Sequence, residues 1–240
     1  MVTNSKRVMN SKRFRAATAK VDRSKVYEPA EALALIKSLP PAKFDETVDV
    51  VVVLGIDPKK SDQLVRGAVS LPKGLGKTIK VVVFAEGDKA AAATAAGADM
   101  VGSGELAEKI LGGWTDFDIV IASPDMMKHV GKLGKVLGPQ GKMPSPKSGT
   151  VTADVAGAVR EFKAGKVEFR TDAGGNVHAS VGKRSFKVED LEVNLRAFLD
   201  HLIAMRPAAV KGQFVRKVSV STTMGPGAWV NYSSGAEVNA

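Results

Sequence analysis

The chain has 240 residues, 44% of them hydrophobic, enough for one large domain or two modest ones with real cores. It has no cysteine, which excludes disulfides and thiolate metal sites and fits a reducing cytoplasm. No stretch approaches the roughly 20 apolar residues of a membrane span, and the basic N-terminus lacks an apolar core segment, so neither a membrane anchor nor a secretory signal is expected. The formal net charge is +10, and residues 1–25 hold seven of those charges through Lys6, Arg7, Lys12, Arg13, Arg15, Lys20, Arg23 and Lys25 against Asp22 alone. Such a leader carries too little apolar surface to order itself and is expected to stay flexible until it meets phosphates.

The first predicted element is a helix over 28–39, with Pro29 in its first turn and Pro40-Pro41 behind it. A strand follows over 47–54. From about 80 to 163, short apolar runs alternate with helical ones: 81–85, 89–96, 99–101, 105–111, 118–122 and a helix from about 124. That alternation predicts βα units around a parallel sheet. Strands are then expected over 166–172, 177–181 and 214–221, with a helix over 189–204 whose Leu191, Leu195, Phe198 and Leu202 form one core stripe. Each flank of the middle segment is meagre alone, so an insertion is the favoured arrangement. The fold class is α/β with two domains: an α+β unit from residues 1–73 and 166–240, and an α/β unit of residues 74–165 between them. Pro72-Lys73-Gly74-Leu75-Gly76 and Ala164-Gly165 are the natural crossing points. Sequence alone leaves a single larger α/β domain open.

Leu137-Gly138-Pro139-Gln140-Gly141-Lys142-Met143-Pro144-Ser145-Pro146-Lys147 cannot be a regular helix or strand, because each proline lacks an N–H and restricts the residue before it. Lys132, Lys135, Lys142 and Lys147 fall in or near it, with no acid between residues 126 and 149, which makes a rigid cationic loop suited to a polyanion. Further basic clusters, Lys163, Lys166 and Arg170, then Lys183, Arg184 and Lys187, then Arg206, Lys211, Arg216 and Lys217, point the same way. Signs of catalysis are weak. Gly76-Lys77-Thr78 resembles the end of a phosphate-binding loop, but Leu71 stands where its first glycine is required. Gly102-Ser103-Gly104-Glu105-Leu106-Ala107 fits a dinucleotide fingerprint without the acidic residue such a site needs. His129, His178 and His201 are isolated, so no metal, cofactor or catalytic constellation is expected. A nucleotide-dependent enzyme and a DNA-binding architectural protein are the competing readings.

Four strings, in order, resemble the bacterial L-one family of large-subunit ribosomal proteins: Lys43-Phe44-Asp45-Glu46-Thr47-Val48, the LGPxGxMPxP loop, Gly149-Thr150-Val151-Thr152-Ala153-Asp154-Val155, and Thr222-Thr223-Met224-Gly225-Pro226. Gln140 and Ser145 depart from the Arg and Asn the family often carries. The resemblance implies a discontinuous domain built from both termini, a Rossmann-like domain inserted in it, and two adjacent strands acting as a hinge. It also implies an RNA face on the terminal domain at Lys43, Phe44, Thr47, Lys166, Glu168, Arg170, Thr222, Thr223, Met224 and Gly225. On that face the cations neutralise phosphate, Phe44 offers an aromatic surface, and the Thr hydroxyls suit 2′-OH groups. The structural alternatives are Phe44 in the core, Glu46 as a surface charge on the first strand, and Met224 as a packing residue. The implied partners are large-subunit rRNA, the protein's own mRNA and deacylated tRNA at the exit site. The implied role is that of a monomeric, cytoplasmic, non-enzymatic stalk protein that assists tRNA release and represses its own translation.

Overall fold

The structure is a computed structural model, which describes residues 11–232. In chain order its elements are α1 (Lys12–Thr18), β1 (Val26–Tyr27), α2 (Pro29–Ser38), β2 (Thr47–Leu54), β3 (Arg66–Ser70), β4 (Val81–Phe84), α3 (Asp88–Ala95), β5 (Met100–Gly102), α4 (Gly104–Leu111) and β6 (Ile119–Ala122). There follow α5 (Met127–Lys132), α6 (Gly134–Leu137), α7 (Val155–Ala164), β7 (Lys166–Arg170), β8 (Asn176–Lys183), α8 (Val188–Ala204), β9 (Val215–Thr222) and β10 (Ala228–Val230). The expected helix from about 124 is broken into a 3-10 turn, α5 and α6.

Residues from both ends of the chain build a five-stranded sheet in the order β1-β10-β9-β2-β8, with β2 antiparallel to both neighbours. Along β2, Val48, Val50, Val52 and Leu54 point inward and Thr47, Asp49, Val51 and Val53 point out, which is the period of a half-covered strand. The inward side packs on α2 through Leu33 and Ile36 and on α8 through Leu191, Leu195, Phe198 and Leu202, all fully buried. The outward residues of β2 are half-buried, and Val167 and Glu168 of β7 line a pocket together with Asp49 and Val51.

The middle of the chain forms a parallel sheet, β5-β4-β6, as the βα alternation predicts. Its central strand β4 is buried on both faces. Val82 and Phe84 face a cluster with α4 and α5, while Val81 and Val83 face one with α3 and α7. The glycine turn at 102–104 follows β5, an edge strand. A dinucleotide fingerprint belongs at the end of a central strand, so the tight turn alone accounts for these glycines.

β3 and β7 pair antiparallel as a separate two-stranded ribbon and carry the chain between these layers. At the crossing, Gly165 (φ +118°) lies so close to Gly74 that an added Cβ would sit 2.5 Å from its Cα. Asn194 of α8, fully buried, accepts from the Lys73 N–H (3.0 Å) and donates to the carbonyls of Gly74 (3.0 Å) and Val181 (2.8 Å). One buried amide thus ties the crossing segment to the terminal core.

The expectation of a flexible leader is corrected over residues 11–25; residues 1–10 lie outside the described residues. Ser11 caps α1, Ala17 and Val21 enter the core, and Arg13 donates to the carbonyls of Pro40 (3.3 Å) and Met224 (3.1 Å). Two small apolar side chains and specific bonds order a segment whose mean composition is polar.

Candidate nucleic-acid interface

Residues 42–47 and 222–225 lie far apart in sequence and meet at one end of the five-stranded sheet. Val48 pairs with Thr222, and beyond that pair the ladder is finished by a side chain. The Thr47 N–H donates to Thr223 Oγ1 (2.9 Å), the Thr223 N–H donates to the Thr47 carbonyl (3.0 Å), and the Thr223 hydroxyl donates to the same carbonyl (3.3 Å).

Glu46 locks the two segments together. It is wholly buried, which corrects the reading of it as a surface charge. Its carboxylate accepts from the N–H groups of Ala42 (2.7 Å) and Met224 (3.0 Å) and from the Arg184 guanidinium (3.2 Å), and Arg13 stands 3.7 Å away. Arg184 also donates to the carbonyls of Lys37 (2.7 Å) and Leu39, fixing the end of α2 to the same point. Burial pushes the Glu46 carboxyl up, but the Ala42 and Met224 amides, the Thr222 hydroxyl and Arg184 outweigh it, and the group is held below the usual carboxylate range. Gly225 closes the turn where only glycine fits, since a Cβ there would lie 2.4 Å from Thr222 Oγ1.

This knot presents two large apolar side chains to solvent. Phe44 is 54% exposed and Met224 51%, so neither belongs to the core. Lys43 is exposed beside Phe44. Thr47 is half-buried, and its hydroxyl accepts from Lys183 (3.0 Å). Thr222 is buried, which corrects the expectation that its hydroxyl faces a ligand; it serves the scaffold instead.

Lys166, Glu168 and Arg170 lie on the β3–β7 ribbon. Arg170 is exposed, whereas Lys166 is paired with Glu161 (2.6 Å) and Glu168 with Arg66 (2.7 Å). These residues join Thr47 and Lys183 along one wall of a cleft of about 950 Å³, and residues 138–143 of the Gly/Pro-rich segment form the other wall. In that segment Lys142 is spent on structure: it donates to the carbonyls of Thr115 (3.1 Å) and Phe117 (2.5 Å) and lies 4.9 Å from the Phe117 ring centroid. Lys132, Lys135 and Lys147 are exposed. The two acids lining the cleft, Asp118 and Glu168, are each neutralised by a cation, so the cleft is left basic.

Sequence reasoning missed Glu46, Arg184 and Arg13 as organisers of the site. In the sequence Glu46 stands next to Asp45 and looks like one of a pair of surface acids, and its burial depends on Arg184 and Met224, more than 100 residues away. Among the described residues no His, Asp and Glu cluster could hold a metal ion, and no helix is long and apolar enough to cross a membrane.

The chain is similar to known proteins over most of its length. Large ribosomal subunit protein uL1 of Azoarcus sp. (strain BH72) is 59% identical over 217 residues, covering 90% of this chain and 94% of the relative. The protein of the same name from Bordetella pertussis (strain Tohama I) is 59% identical over 224 residues, covering 93% and 97% respectively. That from Methylobacillus flagellatus is 58% identical over the same span and coverage. The profile of the Ribosomal protein L1p/L10e family matches residues 35–226, which takes in the Glu46 knot, the crossing strands and the Gly/Pro-rich loop, and the chain belongs to that family of structural, non-enzymatic proteins.

Proposed function

We propose that this chain is a structural component of the large ribosomal subunit and holds rRNA at the end of the five-stranded sheet marked by Phe44 and Met224. The observation that carries this reading is the pair itself. Two large apolar side chains stand in solvent on a scaffold cross-linked by a buried carboxylate, with Lys43 and Lys183 beside them. A cross-linked turn that exposes apolar surface is built to be covered by a partner. The surrounding cations and the basic cleft select a polyanion, and the backbone groups and hydroxyls suit a folded RNA read by shape.

On the same reading, residues 1–73 and 166–240 form the RNA-holding unit and residues 74–165 an inserted unit, supported by separate cores on either side of the Gly74–Gly165 crossing. Of the sequence-predicted residues, Lys43, Phe44, Thr47, Arg170, Thr223, Met224 and Gly225 are the direct RNA set. Lys166 and Glu168 shape the ribbon. A site that reads shape also accommodates an mRNA segment folded like the rRNA site, which supports repression of the protein's own translation, and the basic cleft supports contact with deacylated tRNA on its way out.

The test is Phe44→Ala with Met224→Ala in the full chain. Affinity for a structured rRNA fragment should fall by two orders of magnitude or more, at about 1 to 3 kcal/mol per side chain and 1.4 kcal/mol per tenfold. The salt slope and melting temperature should match the wild type, and duplex DNA at the same salt should bind weakly to both. Wild-type affinity in the double variant overturns the proposal.

A further inference from the structure

The outward face of the five-stranded sheet continues past Thr47 to its opposite edge. On β9 the outward residues after the Thr222 end are Ser221, Ser219 and Lys217. Trp229 of β10 is in register with Ser219 and with Val26 of β1, and therefore stands on the same outward side. Val26 is 57% exposed, and Tyr27 and Val230 take the inward positions.

Around Trp229 runs a groove of about 440 Å³ with Arg23, Arg216 and Lys217 on its walls and no carboxylate among the residues that line it. Lys217 Nζ lies 5.4 Å from the Trp229 ring centroid. None of the three cations is ion-paired among the described residues, and with no acid on the groove walls their charge is uncompensated locally. A partly buried indole with three unpaired cations at its rim has the chemistry that takes a nucleobase on the ring and its phosphates on the charges. A packing role alone would not call for the cations. Lys217 lies five residues along β9 from Thr222, roughly 17 Å away at 3.3 Å per residue, so the groove is separate from the Glu46 knot.

We propose that this groove is a second RNA subsite, where an unpaired base stacks on Trp229 and the flanking phosphates are held by Lys217, Arg216 and Arg23. The inference rests on the reading of this chain as an RNA-holding protein, but it makes its own prediction for single strands.

The experiment uses the full chain and hexa-adenylate RNA. In a Trp114→Phe background Trp229 is the single tryptophan. Hexa-adenylate should quench its fluorescence saturably, and Trp229→Ala should weaken binding about tenfold to a hundredfold, while Trp229→Phe keeps most of the affinity. Lys217→Gln with Arg216→Gln should flatten the salt dependence by about two phosphate contacts. Phe44→Ala with Met224→Ala should leave hexa-adenylate binding unchanged. A loss confined to the structured rRNA fragment in that variant, or its absence, therefore bears on the principal face alone. Binding of hexa-adenylate without quenching overturns the proposal, as does unchanged affinity in Trp229→Ala or equal competition by inorganic phosphate.

Discussion

Replacing Glu46 with Gln keeps the shape of the side chain and removes its charge. The carboxylate now serves the N–H groups of Ala42 and Met224 and the guanidinium of Arg184. Glutamine has one acceptor oxygen, and its amide would face a donor at one of these places. It also leaves Arg184, whose side chain is 14% exposed, opposite no charge. Removing one partner of a buried pair costs about 3 to 5 kcal/mol. Arg184 retains its bonds to the carbonyls of Lys37 and Leu39, which puts the expected loss at the lower end, about 3 kcal/mol. For a chain of this size that lowers the melting temperature by about 6 to 12 °C. Because folding holds the Glu46 carboxyl below its ordinary range, its contribution is present above the unfolded pKa, about 4.3, and is lost as pH falls through the lower folded value. The gap between wild type and Glu46→Gln should therefore be full at pH 7 and should narrow below about pH 4. Melting followed by circular dichroism at both pH values is the assay. A gap under about 1 kcal/mol at neutral pH, or one that widens in acid, refutes the account of Glu46 as the organising charge.

Thr223→Val should lower stability by about 0.5 to 1.5 kcal/mol in the absence of RNA, because the Thr47 N–H exchanges its acceptor for water, whereas Met224→Ala alone should leave the melting temperature unchanged. Thermal denaturation of the two single variants separates the scaffold residue from the presented one. Asn194→Leu strands the Lys73 N–H and the carbonyls of Gly74 and Val181, and should cost at least about 2 kcal/mol. It should also broaden the distribution of cleft widths seen by small-angle scattering, and an unaltered scattering profile would show that the amide does not govern the crossing.

Elements with strong local patterns were legible in the sequence. β2 falls at 47–54 as read, because Val48, Val50, Val52 and Leu54 alternate with outward residues, and α8 carries the predicted stripe. The middle of the chain read as βα units because short apolar runs, β4 among them, alternate with helical ones. β3 went unread: Arg66-Gly67-Ala68-Val69-Ser70 has little strand character, and its pairing comes from β7, distant in sequence. β10 is three residues long and owes its state to β9. α7 left a signal that was not used, an Asp154 cap followed by Val155, Ala158, Val159 and Phe162 at helical spacing. At the site, the motifs located the right segments but not the division of labour within them. Composition cannot tell that Thr222 turns inward while Met224 turns out, because that choice is made by Glu46 and Arg184 across the fold.

The placement of β2 between β8 and β9 has a consequence for the order of events during synthesis. β2 ends at Leu54, its first partner begins at Asn176 and its second ends at Thr222. At common elongation rates a nascent chain carries β2 with both edges bare for on the order of ten seconds. The parallel sheet, whose strands and helices are near neighbours in sequence, can close in that interval. The turn that presents Met224 then forms only when residues 222–225 have left the tunnel. A truncated product ending before Thr222 would carry Phe44 but lack the residues that complete the Glu46 knot, and synthesis through Gly225 becomes a precondition for recognition.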